Sequence, residues 1–328
     1  MKVIVPLAGR GTRLLPLTKR VPKPLVHVAG RPVMDYVMET IAGLDVEELI
    51  VITGHLKAQV ERYITTHYPV PARFIEQRTL DGTAGAIHLA RPHVSGPVMV
   101  IFVDTLFDAD LSVVGNTDAD GILWAKEVED YQRFGVIITD ARGHMARIVE
   151  KPDTPISKLA NIGLYYIKDW RTLFEGIAEV MRGPAGKGGE FYLTDAFQYM
   201  VDRGRKLMVG EVTGWYDCGK VDALLATNRH LLERGRARLS ENPRPGCTIH
   251  PPVYIEDGVM LGDAVVGPNV SIEAGSVVLQ STIANSIVGR NVRIVRATVE
   301  GSLVGDDEVI EDREVRHSVL DCGETGPA

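Results

Sequence analysis

Cysteine is scarce in this chain of 328 residues: Cys218, Cys247 and Cys322 follow neither a disulfide framework nor a metal-ligand spacing. Such sparse use fits a reducing compartment, and the expected location is the cytoplasm. Long apolar runs are missing too. The start, Met1-Lys2-Val3-Ile4-Val5-Pro6-Leu7-Ala8-Gly9, is too short an apolar stretch for a signal peptide or a membrane span, and reads instead as a buried first strand. There is no basic excess. Lys and Arg number 36 against 43 Asp and Glu, so at a formal net charge of −7 no nucleic-acid backbone is expected as a partner. Local basic clusters can still hold a small anion. What the chain does have is a 45% hydrophobic fraction beside 24% charged residues, the balance of a folded protein rather than a disordered one.

Residues 1–234 alternate short apolar runs with segments of helical spacing, as in a β-α-β-α chain. Val3 to Leu7 predicts a buried parallel strand, and Val33, Tyr36, Val37, Thr40, Ile41 and Leu44 fall at helical spacing. Further strands are predicted at 49–53, 73–76 and 98–103. The expected fold is α/β, a Rossmann-like doubly wound mixed sheet, with ligands at the carboxyl ends of the strands. Leu7 to Arg13 and Asp104 both lie at such ends. From Gly121 strand pairs predominate, at 122–125, 135–139, 146–150 and 164–167, followed by helices at 170–181, 193–202 and 222–233.

A proline-rich linker is expected over 235–252, on Asn242-Pro243-Arg244-Pro245-Gly246 and Pro251-Pro252. Beyond it the sequence repeats. Ile255, Ile272, Val288 and Val304 recur at spacings of 17, 16 and 16 residues. Leu261, Val278, Ile294 and Ile310 form a second register, and Val266, Ile283 and Val299 a third. Three inward positions per repeat are what a triangular parallel β-helix needs, and these predict one over 253–322, with 323–328 as a flexible tail.

The chemistry begins at Gly9-Arg10-Gly11-Thr12-Arg13, after a strand, with Lys19, Arg20 and Lys23 close behind. Glycines let backbone N–H groups approach a phosphate chain, and clustered cations offset its charge. Pro22 and Pro24 deny the stretch around Lys23 a helix. A dinucleotide fingerprint does not fit, because its third glycine would fall at Leu14.

Ala8-Gly9-Arg10-Gly11-Thr12-Arg13 with Pro22-Lys23-Pro24-Leu25 resembles the signature of sugar nucleotide pyrophosphorylases, the sugar-1-phosphate nucleotidyltransferases. Later motifs follow in the family's order: Asp81-Gly82-Thr83-Ala84-Gly85, Val103-Asp104, Val149-Glu150-Lys151-Pro152, Asn161-Ile162-Gly163-Leu164-Tyr165, Gly189-Glu190 with Leu193-Thr194-Asp195, and Trp215-Tyr216-Asp217-Cys218-Gly219. The resemblance covers roughly residues 1–234. The C-terminal repeats resemble the left-handed β-helix of the family's longer members.

The resemblance implies joining of a sugar 1-phosphate to a nucleotide with release of pyrophosphate, by in-line attack at the α-phosphorus. It makes Arg13 the clamp on the triphosphate, Lys23 a stabiliser of charge at the reacting phosphates, and Asp104 and Asp217 the carboxylates of a Mg²⁺ ion. Leu7, Ala8, Gly9, Gly11, Thr12, Gln77, Gly82 and Thr83 fall to the nucleotide. Gly135, Glu150, Lys151, Asn161 and Glu190 fall to the sugar phosphate, with Lys151 on its phosphate. Asp108 and Asp110, close to Asp104, read as capping and surface residues.

The glycine loop is one residue shorter than in most thymidylyl- and guanylyltransferases and matches bacterial uridylyltransferases. Pro24 stands where short thymidylyltransferases place a base-reading Gln, and Val103 replaces a Gly. Gln77 keeps a pyrimidine in play, while Gly82-Thr83-Ala84-Gly85 also resembles guanylyltransferases. The nucleotide is thus expected to be dTTP or UTP, with GTP and a mannose or heptose phosphate as the alternative; glucose 1-phosphate is the default sugar. The β-helix is expected to be a structural or oligomerising module, and the chain a homo-oligomer. A fused acyltransferase and a non-catalytic regulatory paralogue are the competing readings.

Overall fold

The computed structural model describes residues 1–239, 246–321 and 323–327; residues 240 to 245, a third of the expected linker, and Cys322 and Ala328 lie outside them. In chain order the elements are β1 (Lys2–Pro6), β2 (His27–Val28), β3 (Arg31–Pro32), α1 (Val33–Ile41), β4 (Glu48–Thr53), α2 (Lys57–His67), β5 (Ala72–Glu76), α3 (Thr83–His88) and β6 (Val98–Ile101). Then come β7 (Thr105–Ala109), β8 (Gly121–Glu127), β9 (Gly135–Thr139), β10 (Met145–Glu150), β11 (Leu159–Ile167), α4 (Trp170–Val180), α5 (Leu193–Asp202), β12 (Leu207–Asp217) and α6 (Val221–Leu231). The chain divides into two compact units, 1–9 with 37–215 and 10–36 with 216–328. The cation-rich segment after Gly9 therefore belongs with the C-terminal repeats, although the sequence motifs group it with residues 1–234.

The first unit is built on a mixed sheet in the order β5-β4-β1-β6-β11-β8-β12-β7. β1 runs parallel to β4 and β6, whereas β11 is antiparallel to β6 and β8. Ile4, Ile50, Ile52, Val98 and Val100 form its core with Leu173, Phe174 and Ile177 of α4 and Leu193, Ala196, Phe197 and Met200 of α5. The helical residues recur every three or four positions, which puts them on one face. Asp169 Oδ1 starts α4 by accepting the Thr172 N–H at 3.2 Å. The eleven-residue β12 has no counterpart among the expected strands. Gly210 and Gly214 break its apolar pattern, and pairing with β8 over Leu207–Glu211 supplies what the local sequence does not.

In the second unit the repeats form a three-sided parallel β-helix, consistent with the left-handed form. Ile255, Ile272, Val288 and Val304 align through strand pairing, as do Leu261, Val278, Ile294 and Ile310, and Val266, Ile283 and Val299. All of them face inward and are buried. At the corners, buried serine hydroxyls accept backbone N–H groups one coil on: Ser276 from Val292, Ser281 from Ala297, and Ser286 from Ser302. Those hydroxyls satisfy amides that burial would otherwise strand. Glu324–Pro327, expected as a flexible tail, is a strand antiparallel to Ser318–Asp321. Its backbone finds a ready partner in the last coil's open edge. Among the described residues no helix is long and apolar enough to cross a membrane.

Candidate functional site

In the first unit, the carboxyl ends of three parallel strands converge. The Leu7 N–H donates to the Ile52 carbonyl at 2.7 Å, and the Gln77 N–H donates to the Thr53 carbonyl at 2.8 Å. A Cβ on Gly54 would lie 2.8 Å from the Ala8 carbonyl oxygen, so the turns after β1 and β4 touch backbone to backbone. Leu7 and Ala8 are buried, while Gly9 is exposed with nothing within 4 Å of where a Cβ would stand. Gln77 is 8% exposed, and its Nε2 donates to Asp81 Oδ1 at 2.9 Å.

That bond leads into the segment Asp81–Gly85. Gly82 has φ +104°, and a Cβ on it would meet the Phe191 carbonyl oxygen at 2.4 Å. Only glycine tolerates both demands. The Phe191 N–H donates to the Asp81 carbonyl at 2.7 Å, and the Ala84 N–H to the Phe191 carbonyl at 2.9 Å. The Thr83 hydroxyl, assigned to the nucleotide from its motif, accepts the Leu193 N–H at 2.9 Å. Two motifs about a hundred residues apart in sequence are thus one structural unit, and Glu190 comes with them.

Gly135, Glu150, Lys151 and Asn161 come together in one cluster. Asn161 Nδ2 donates to the Gly135 carbonyl at 2.9 Å, and Thr194 Oγ1 donates to Glu150 Oε2 at 3.1 Å. Tyr165 donates its hydroxyl to Asn161 Oδ1, which fixes which way the amide faces. Burial pushes the Glu150 carboxyl above its ordinary value, with Lys151 and Thr194 acting against the rise. The Tyr165 phenol is driven far upward by burial, then by the negative charges of Glu150 and Asp104, so it stays a proton donor. The same influence sets Asp104 close to this cluster, in the turn between β6 and β7.

Lys151 adopts the left-handed region at φ 45°, held by its N–H to the Phe134 carbonyl at 3.0 Å. Its Nζ lies 3.7 Å from Glu150 Oε1 and 5.0 Å above the Tyr192 ring. The Tyr192 hydroxyl is raised by burial, then by Glu190, Glu150 and Asp195. A cavity of about 580 Å³ opens here, lined by Glu150, Lys187, Tyr192, Asp195 and Gln198 among others. Tyr165, Tyr192 and Thr194 went without a role in the sequence reading, although Tyr165 and Thr194 stand inside its motifs; their value lies in partners distant in sequence. Asp110 accepts the Ser112 N–H at 2.9 Å just before a 3-10 turn whose N-cap is Leu111, and Asp108 is exposed.

In the second unit, Gly11 sits at φ +64°, where a Cβ would meet Thr18 Cγ2 at 2.9 Å and Lys23 Cβ at 3.2 Å. The Thr18 hydroxyl donates to the Gly11 carbonyl at 2.8 Å and closes the loop. Thr12 and Arg13 are exposed on one 3-10 turn, and Lys23–Leu25 forms another. Proline there excludes an α-helix but permits this single turn, which the sequence reading did not foresee. Asp217 ends β12, and its Oδ1 accepts the Gly219 N–H at 2.6 Å. A Cβ on Gly219 would lie 2.8 Å from Asp217 Oδ1 and 3.2 Å from Lys23 Nζ, so the cation and the carboxylate flank one glycine.

Residues 2–234 match the sequence model of the family described as Nucleotidyl transferase. The "Bifunctional protein GlmU" of Methanococcus aeolicus is 33% identical over 79% of this chain, which spans 61% of that protein's length. A glucose-1-phosphate thymidylyltransferase of Streptomyces antibioticus is 29% identical over 93% of this chain and 87% of its own. Among solved structures, a UDP-glucose pyrophosphorylase complexed with UDP-glucose superposes with a TM-score of 0.63 at 26% identity, over 71% of this chain and 98% of that one.

Proposed function

Because this chain belongs to the nucleotidyl transferase family, we propose that it transfers a nucleotidyl group from a nucleoside triphosphate to a sugar 1-phosphate and releases pyrophosphate. The observation that carries this reading is the cluster in which Gly135, Glu150, Lys151 and Asn161 meet, at the edge of the cavity lined by Glu150 and Tyr192. An amide locked by Tyr165, a buried carboxyl and one ammonium suit a polyhydroxylated ligand with a single phosphate. Lys151 holds the sugar phosphate; Asn161, Glu150 and Glu190 read its hydroxyls. Leu7, Ala8, Gly9, Gly11, Thr12, Gln77, Gly82 and Thr83 serve the nucleotide.

The sugar phosphate oxygen attacks the α-phosphorus as the bond to pyrophosphate breaks, so positioning and charge do the catalytic work. Arg13 neutralises the departing pyrophosphate and Lys23 the reacting phosphates. Asp104 and Asp217 are half-buried carboxylates, the hard oxygen donors that Mg²⁺ prefers. Such an ion, held by Asp104 and Asp217, would neutralise phosphate oxygens.

For the substrates we infer dTTP or UTP with glucose 1-phosphate. The short glycine loop, Gln77 beside Gly82, and relatives named for thymidylyl transfer and UDP-glucose support this pair. We infer further that the β-helix joins copies of the chain and that the protein works in the cytoplasm. Pyrophosphate release over a matrix of dTTP, UTP and GTP against glucose, mannose and heptose 1-phosphates tests the proposal. Activity with dTTP or UTP and glucose 1-phosphate is expected; no turnover anywhere in the matrix refutes the enzyme.

A further inference from the structure

The segment 10–36 is seated on the β-helix by polar ties that the proposed reaction does not use. Asn228 of α6 is fully buried, and its side chain joins three parts of the second unit. Its Oδ1 accepts the Ala29 N–H at 2.8 Å and the Ser271 hydroxyl at 2.7 Å, while its Nδ2 donates to the Asn269 carbonyl at 3.2 Å. Ala29 lies six residues after Lys23; Ser271 and Asn269 belong to the β-helix. The preceding helix residue, Thr227, is also buried and donates its hydroxyl to the Asp217 carbonyl at 3.1 Å.

Further ties run alongside. His27 Nδ1 lies 2.7 Å from Glu273 Oε1, within ion-pair distance though not aligned as a good hydrogen bond. Glu273 is 4% exposed, and Arg290 Nε approaches its other oxygen at 3.2 Å. Arg20 reaches Asp321 at 3.4 Å and Asp307 at 3.5 Å. Between these ties lies a cavity of about 120 Å³ lined by Leu17, Val21, Leu25, His27, Glu273 and Arg290 among others. Directed polar contacts therefore locate the turn that bears Lys23 together with apolar packing, in which Gly30 lies so close to the Tyr254 ring that a Cβ there would stand 2.1 Å from it.

We propose that the β-helix is an intramolecular scaffold that positions Lys23 and Asp217, with Ser271 acting through Asn228, and Glu273 through His27, as positioning residues. The proposal rests on the nucleotidyltransferase reading for what Lys23 and Asp217 do. It adds that a module expected to be structural or oligomerising positions the chemistry of its own chain.

Glu273→Gln and Ser271→Ala in the full chain test it, with Ser271→Thr as the conservative rescue. Each of the first two should raise the KM for the nucleoside triphosphate, and the Mg²⁺ concentration for half-maximal rate, about five- to tenfold, the effect of losing one hydrogen bond at Ser271 or one close charged contact at Glu273. The KM for the sugar 1-phosphate should stay unchanged, a split that general loosening of the fold would not produce. Hydrogen exchange should quicken in amides 17–32 and stay the same in coils 276–310. Ser271→Thr should restore both constants. If Glu273→Gln fails to fold, Ser271→Ala, which leaves Asn228 two partners, decides alone. Unchanged constants together with unchanged exchange in a folded variant overturn the proposal. Should the wild type turn over no substrate, the enzyme reading fails, whereas exchange in amides 17–32 still decides whether the β-helix holds the segment.

Discussion

Asn161 Nδ2 stands 2.3 Å from the point where a Cβ on Gly135 would be, closer than two such atoms can approach. The same Cβ would lie 2.9 Å from Glu150 Oε2, so one methyl group would displace two groups of the proposed sugar site. Gly135→Ala should raise the KM for the sugar 1-phosphate by about tenfold or more, given overpacking costs of ~1–3 kcal/mol. The KM for the nucleoside triphosphate should hold. Steady-state kinetics with each substrate varied in turn would show this, and equal shifts in both constants would count against a dedicated sugar pocket.

Asp104→Asn and Asp217→Asn keep the shape of the side chain and remove its charge. Each should lower kcat by about a hundredfold or more while thermal unfolding changes little, because the loss falls on phosphate charge stabilisation. Chelation with EDTA should abolish the wild-type rate, and added Mg²⁺ should restore it. Full activity in Asp217→Asn would remove that residue from the metal site.

Gly9 and Gly11 look alike in the sequence and differ in structure. Gly11→Ala forces a positive φ on alanine and presses on Thr18 and Lys23, so a loss of about 1–3 kcal/mol in stability is expected from chemical denaturation. Gly9→Ala meets no atom within 4 Å and should leave stability within about 0.5 kcal/mol. Lost nucleotide affinity in Gly9→Ala, by calorimetric titration, would mark Gly9 as a place of close ligand approach. Undiminished affinity would release it from that role.

Glu150 carries a pH signature. Its folded-state value is raised from 4.5, chiefly by burial, so the folded chain holds this proton more tightly than the unfolded one. Stability contributed by the protonated group is present below the ordinary glutamate range and falls as pH rises through the raised value. Glu150→Gln should remove that decline. The Tm of the variant relative to wild type should be level below pH 4.5 and grow toward neutrality. A Tm difference that does not vary with pH would contradict the assignment. Asp195, also raised by burial, keeps part of the decline in both proteins.

What the sequence determined by itself was whatever is written in short or periodic patterns. The three registers of the β-helix were legible because each coil repeats the same inward positions, and Ile255, Ile272, Val288 and Val304 do align in the structure. The glycine loop, the cations and the ordered motifs were legible because phosphate chemistry demands particular residue types at particular spacings. Tertiary structure alone decided which motifs are neighbours. It placed Gly82 against Phe191, turned the Thr83 hydroxyl toward Leu193, and bound Asn161 to Tyr165 and Gly135. It also made a paired strand of β12, whose glycines hide it, and assigned residues 10–36 to the unit that contains the β-helix through Asn228, Glu273 and Asp321. The physical reason is the same throughout: a buried amide or carboxylate takes its meaning from partners that chain folding brings from far away, and a linear pattern does not record those partners.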